Sequence, residues 1–247
     1  MRLAYLGSPE VAVGPLRALV EAGHDIAVVV TQPDRRRGRG SALVPTPVKV
    51  AALELGLPVS DRVDDVVAVG VELGIVVAFG RIIRPEVLSA VPMLNLHFSL
   101  LPRWRGAAPV ERAILAGDEV TGVAVMEVAE GLDTGAVYDC EELLIGSDQT
   151  AEDLRSQLAE IGTRLLVRLL ADNLPEPESQ VGTPTYAKKL VPADHCLDWM
   201  DSALQLHRVV RVGSAWTTFR GRRLRVLATA VGDRDTTLNA GEIDPVT

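Results

Sequence analysis

The 247-residue sequence predicts an α/β protein with a doubly wound, mostly parallel sheet, followed by a small β-rich region. Apolar runs of strand length alternate with segments of helical periodicity, and runs such as Ile26 to Val30 are apolar on both faces, as strands covered by helices on each side must be. A hydrophobic content of 47% suffices for one sizeable core and a small second unit.

Arg2 to Leu6 is the first expected strand and ends in Gly7-Ser8-Pro9-Glu10. Val11 to Glu21 then places Val13, Leu16, Leu19 and Val20 on one side of a helix, and Asp25 to Thr31 completes a β-α-β opening. Gln32 to Pro47, with three prolines and two glycines, is a loop longer than α/β connections usually are, and such loops tend to be functional. Val48 to Leu55 reads as a helix leading to a short segment around Val59. Asp65 to Leu73 is expected as a helix, Ile75 to Phe79 as a strand, Pro85 to Ser89 as the start of a short helix, and Met93 to His97 as the next strand. Ala108 to Ala116 is helical, while Gly122 to Val128 and Val137 to Leu144 are β-rich and bracket the turn Glu130-Gly131-Leu132-Asp133-Thr134-Gly135. Thr150 to Leu170 is the longest helix, opened by Thr150 and Asp153 as a capping-box variant. Residues 1–171 are the expected first domain, the Pro-rich stretch 172–185 a linker, and 186–247 a second domain with a helix over Ser202 to Arg211. A hairpin of Ala215 to Phe219 with Leu224 to Ala230 follows.

Composition narrows the function classes. The apolar runs fall far short of a membrane span and the chain opens on a strand instead of a signal peptide, so a cytoplasmic protein with no membrane partner is expected. Cys140 and Cys196 stand far apart with no histidine cluster beside them, so neither a metal site nor a disulfide framework is expected. A net charge of −8 argues against general adhesion to nucleic acid, yet Arg35-Arg36-Arg37-Gly38-Arg39-Gly40 and Arg220-Gly221-Arg222-Arg223-Leu224-Arg225 concentrate positive charge that can steer a polyanion. The first turn lacks the second and third glycines of a dinucleotide fingerprint, and no phosphate-loop motif occurs.

The most informative stretch runs from Asn95 to Pro109. Asn95 and His97 are two positions apart at the end of an apolar run, so both side chains emerge on one face of a strand. A carboxamide and an imidazole there suit a carbonyl oxygen about to become negative, and Asp133, in its Gly-flanked turn, can reach the pair. With no nucleophilic Ser or Cys in the set, the chemistry expected is acyl transfer by direct attack of a substrate amine. Ser99 is the alternative nucleophile, without a nucleophile-elbow motif around it.

These blocks resemble the methionyl-tRNA formyltransferases, within the wider group of enzymes using 10-formyltetrahydrofolate. The resemblance rests on Leu6-Gly7-Ser8-Pro9-Glu10, Thr31-Gln32-Pro33-Asp34-Arg35 with Gly38-Arg39-Gly40, and Pro45-Thr46-Pro47-Val48-Lys49. It continues through Asn95 to Pro109, Gly131-Leu132-Asp133-Thr134-Gly135, Tyr186-Ala187-Lys188-Lys189-Leu190 and Asp198-Trp199. It implies that Asn95 and His97 stabilise the tetrahedral oxyanion and that Asp133 holds His97 charged and helps remove the amine proton. It further implies that folate lies along the backbone near Arg81 and Ile83 and against Glu130 and Gly131. The initiator methionyl-tRNA would meet the basic loop through Arg35, Arg36, Arg37 and, foremost, Arg39, and a monomer is expected. Three departures stand out: Ser41-Ala42 where lysines are usual, Val11 where an aromatic is common, and a C-terminal stretch with room only for a shortened OB-like unit. The competing expectations are a formyltransferase for a small amine, such as a nucleotide-linked amino sugar, and a non-catalytic folate- or RNA-binding paralogue.

Overall fold

The computed structural model describes residues 1–36, 43–171 and 174–232. Its elements in chain order are β1 (Arg2–Gly7), α1 (Val13–Glu21), β2 (Asp25–Val30), β3 (Arg35–Arg36), β4 (Leu43–Val44), α2 (Pro47–Glu54) and β5 (Val59–Ser60). Next come α3 (Asp65–Ala68), β6 (Leu73–Val77), α4 (Pro85–Ala90), β7 (Met93–His97), β8 (Arg105–Gly106) and α5 (Pro109–Ala116). The chain continues through β9 (Val120–Glu127), β10 (Val137–Leu144), α6 (Ala151–Ala171), β11 (Tyr186–Ala187), α7 (Ala203–Val212), β12 (Trp216–Phe219) and β13 (Arg222–Arg225).

Seven strands form the main sheet in the order β10-β9-β7-β6-β1-β2-β5. The five from β5 to β7 are parallel, and β9 and β10 extend the sheet antiparallel beyond β7. Alternation along β1 shows why the sheet must be covered twice: Leu3 and Tyr5 enter the core shared with α1 and α6, whereas Ala4 and Leu6 enter a second core on the other face with Val66 and Val87. The fold class expected from the apolar runs is therefore the one observed. No helix among the described residues is long and apolar enough to cross a membrane.

The helix α6 fixes the strands that matter most. Thr150 and Asp153 form the expected reciprocal cap, with Asp153 N–H donating to Thr150 Oγ1 at 3.2 Å and Thr150 N–H to Asp153 Oδ2 at 3.3 Å. Its Gly162 lies so close to β7 and β9 that a Cβ there would come within 2.7 Å of Leu96 and 2.8 Å of Val123.

Several boundaries differ from expectation for physical reasons. The helix expected over Asp65 to Leu73 stops at Ala68, because Leu73 is already paired with Leu3 in the sheet. The strand expected to reach Phe79 ends at Val77, where Ala78 takes φ 46° and turns the chain off the sheet. In the long loop, Arg35–Arg36 and Leu43–Val44 pair antiparallel. The C-terminal hairpin turns at Arg220 and Gly221, with φ 48° and 72°, and its second strand is Arg222–Arg225 rather than Leu224 to Ala230. Among the described residues this hairpin is the β structure of the C-terminal region beyond β11, and α7 packs beside α5 with Leu197, Val209, Val210 and Ala215 in a small core of their own. Arg211 ties α7 back to the first unit, donating to the Gln149 and Gly146 carbonyls at 2.8 Å each.

Candidate active site

The site forms where β6 and β7 end side by side. Val77 pairs with Leu96, so the chain leaving β6 at Ala78 and the side chains of Asn95 and His97 share the carboxyl edge of the sheet, where open α/β sheets bind ligands. Asn95 sits between Val76 and Met126 and is half-buried, so its carboxamide can still meet a ligand.

His97 is buried, with 5% exposure. Its Nε2 lies 3.0 Å from the Trp104 carbonyl oxygen, which can only accept, so Nε2 carries the proton and the lone pair of the neutral ring is on Nδ1. Nδ1 faces Asp133 Oδ2 at 3.7 Å, beyond hydrogen-bond reach. Burial lowers the His97 pKa from its ordinary value and outweighs the Asp133 carboxylate and the Trp104 carbonyl, which both raise it. Burial thus favours the neutral imidazole in the resting protein, against the expectation that Asp133 holds His97 charged.

Asp133 adopts φ 50°, and its Oδ2 accepts the Gly106 N–H at 2.7 Å. Gly106 has φ 123°, and a Cβ there would stand 2.8 Å from the Ala187 carbonyl, so only glycine fits between β8 and β11 while offering its amide to the carboxylate. Trp104 is held by its backbone N–H on Thr185 Oγ1 at 2.9 Å and its indole N–H on Asp118 at 2.7 Å, with the Arg103 guanidinium stacked 4.5 Å over the ring. Ser99 is fully buried and donates its hydroxyl to the Arg103 carbonyl at 2.6 Å, which takes it out of contention as a nucleophile.

On the β6 side a cleft of about 490 Å³ is lined by Gln32, Pro33, Arg35, Asp61, Gly80 and Arg81. Arg35 and Arg81, expected to serve different ligands, therefore border one cleft. Gln32 ties Arg35 to the strand exit, donating to the Phe79 carbonyl at 3.1 Å while accepting from Arg35 at 3.1 Å; Arg81 donates to the Asp61 carbonyl at 2.7 Å. Ile83 buries its side chain in the core and leaves only backbone for a ligand, whereas Ile82, which sequence reasoning passed over, is 93% exposed. Glu130 and Gly131 are exposed in the turn that leads to Asp133.

The base of the basic loop is fastened by the residues flanking it. Thr31 and Thr46 share a hydroxyl hydrogen bond of 2.6 Å, Ser8 Oγ accepts the Gln32 N–H, and Lys49 reaches both oxygens of Asp34 at 2.9 and 2.8 Å. Arg35 and Arg36 are exposed; Arg37 and Arg39 lie outside the described residues. Pro192, His195 and Trp216 belong to the C-terminal region: His195 bonds the Gly213 carbonyl at 2.8 Å and the Trp216 indole donates to Pro192 at 3.1 Å, structural duties both.

Residues 1–170 match the family model described as formyl transferase. A methionyl-tRNA formyltransferase of Heliobacterium modesticaldum is 44% identical to the chain, the match covering 92% of this chain and 77% of that protein. Among solved structures, a methionyl-tRNA formyltransferase from Clostridium thermocellum superposes with a TM-score of 0.71 at 17% identity, covering 91% of each chain. An N-formyltransferase from Helicobacter canadensis, in complex with folinic acid and dTDP-3-aminofucose, gives a TM-score of 0.71 at 18% identity, covering 91% of this chain and 86% of that one. At these identities the solved structures speak to the fold.

Proposed function

The chain belongs to the formyl transferase family, among the methionyl-tRNA formyltransferases, and on that premise we propose that it passes the formyl group of 10-formyltetrahydrofolate to the amino group of methionyl-initiator-tRNA. In this reading residues 1–171 carry the chemistry, 172–185 connect, and 186–247 add to the tRNA surface. The observation that carries it is the convergence of Asn95, His97 and Asp133 at one strand end, beside a serine whose hydroxyl is already committed.

The acceptor nitrogen attacks the formyl carbon, forming a carbon–nitrogen bond while the carbonyl oxygen gains negative charge. Asn95 donates an amide N–H to that oxygen, a contact of the kind worth about 10²- to 10³-fold in rate. The neutral His97 takes the amine proton on Nδ1 and becomes an imidazolium, its Nε2–H still on the Trp104 carbonyl and its new charge beside Asp133 and the oxyanion. Collapse restores the carbonyl and breaks the bond from the formyl carbon to folate N10, which leaves with the electron pair and takes the proton from the His97 imidazolium, returning the ring to its neutral form. Arg81, the backbone at Ile83, and the Glu130–Gly131 turn are the residues this reading gives to folate; Arg35, Arg36, Arg37 and Arg39 are those it gives to tRNA phosphates.

Mixing the folate donor with charged initiator tRNA and measuring formyl-methionine tests the proposal. Product well above a His97→Ala control, falling as salt rises, supports it. Turnover of a nucleotide-linked amino sugar with none of methionyl-tRNA replaces the acceptor, and folate binding without transfer to any amine replaces the enzyme with a binding paralogue.

A further inference from the structure

Residues 178–187 were expected to lie largely in a linker, yet they close around the reacting groups. Glu178 exchanges backbone hydrogen bonds with Val137, each 2.8 Å, and β11 pairs with β8, so the segment is fastened at both ends. Between these points Gln180 divides its carboxamide between the Asp133 turn and Arg105. Its NH₂ donates to the Asp133 carbonyl at 2.9 Å and the Gly135 carbonyl at 2.8 Å. Its Oε1 accepts from Arg105 Nε and Nη2 at 3.0 and 2.6 Å. Arg105 immediately precedes the glycine whose N–H holds the Asp133 carboxylate. One side chain thus grips the turn that carries Asp133 and the strand that aims its carboxylate, and Asp133 itself sits in the left-handed region, which is uncommon for residues other than glycine.

We propose that Gln180 is a positioning residue for formyl transfer, holding Asp133 against His97 through the Asp133 and Gly135 carbonyls and through Arg105. The kinetic part of this inference rests on the formyl transferase reading above; the geometric part does not. Alanine at 180 leaves two turn carbonyls and a guanidinium without their partner. Glutamate keeps the volume and the Arg105 contact but sets a carboxylate against the two carbonyls. Both free the turn, and Asp133 withdraws from His97. A displacement of this order at a catalytic group costs on the order of 10²-fold in rate.

Asp133 is the charged group facing His97 Nδ1, the Trp104 carbonyl lies at Nε2 on the ring's other side, and the Arg105 guanidinium is bonded to Gln180. Since the Asp133 charge raises the His97 pKa, its withdrawal lowers it. The test is an NMR titration of the His97 imidazole in the full chain, for wild type, Gln180→Ala, Gln180→Glu, Asp133→Asn and the Gln180→Ala/Asp133→Asn pair, with kcat and KM on methionyl-tRNA measured alongside. The expected result is that both Gln180 variants titrate lower than wild type, near Asp133→Asn, with the double variant no lower. The same variants lose kcat about 10²-fold while the KM for methionyl-tRNA holds within twofold, and Asp133→Asn adds little to Gln180→Ala. Titration of the Gln180 variants at the wild-type position, or a kcat loss that multiplies in full with that of Asp133→Asn, overturns the proposal. If the wild type fails to formylate methionyl-tRNA, the acceptor reading falls while the titration still decides the role of Gln180.

Discussion

The two rims of the active-site edge are built on opposite plans. The β7 rim, where the imidazole and carboxylate meet, is laced across long sequence distances: Thr185 and Ala187 hold Trp104, Arg105, Ala107 and Ala108, while Gly106 holds Asp133. Among the described residues, the β6 rim is fastened mainly at its base, with Gln32 bonded to the Phe79 carbonyl and to Arg35. Above Thr31, Thr46 and the Lys49–Asp34 pair it offers Arg35, Arg36, Leu43 and Ile82 to solvent. Chemistry that develops charge needs donors fixed in advance, whereas a surface for a large, flexible polyanion gains from side chains that can adapt. Under the proposed function, the contrast sets a fixed reaction centre beside an exposed basic edge.

The sharpest way to break the first rim is to delete its reacting groups. His97→Ala is expected to reduce kcat by about 10²- to 10⁴-fold and Asn95→Ala by about 10²- to 10³-fold, while donor affinity measured by folate titration changes little. A smaller blow is Gly106→Ala, whose Cβ meets the Ala187 carbonyl at 2.8 Å and whose φ of 123° suits no alanine. It should lower thermal stability by about 1–3 kcal/mol and cut kcat with it, seen as a reduced melting temperature. Arg35→Ala and Arg36→Ala act on the other rim: kcat at saturating tRNA is retained, and each variant flattens the plot of log(kcat/KM) against log salt by about one unit. A loss of kcat at saturation in these arginine variants would erase the distinction between the rims.

The pH response gives the mildest test. Because the folded-state pKa of His97 is lowered, the unfolded chain binds more protons below about pH 6.5. The stability that comes from burying a neutral imidazole is therefore present above that pH and lost as pH falls through the folded-state value. Chemical denaturation at several pH values should show wild-type stability declining from pH 6.5 downward, with a shallower decline in His97→Asn. The acid limb of kcat/KM should move to lower pH in Asp133→Asn, since a contribution that raises the His97 pKa is gone.

How much of this was legible in the sequence depended on how far apart the interacting residues lie. Asn95 and His97 are two residues apart, so strand alternation alone put them on one face. Asp133 was visible because glycines flank it, but its bond to Gly106 spans 27 positions and left no trace in local pattern. Gln180 was invisible for a different reason: it grips main-chain carbonyls from a Pro-rich segment, and no residue type at the other end reveals such a contact. The parallel strands were readable from their double-sided apolar character, yet β6 was placed two residues late, because Leu73 and Gly74 follow an apolar segment that continues the helical pattern. The lowered pKa of His97 was also hidden, since it depends on burial outweighing the charge beside it.

The placement of residues 178–187 bears on the order in which the molecule is made. Trp104 waits for Thr185 across 81 positions and Asp133 for Gln180 across 47. During synthesis all seven strands of the main sheet and the whole of α6 are finished before this segment exists. A nascent chain at that stage carries Asn95 and His97 on a completed strand, but the imidazole's carbonyl partner and the carboxylate turn still lack their final anchors. The contacts that fasten the Trp104 backbone and the Asp133 turn thus come from the part of the site synthesised last.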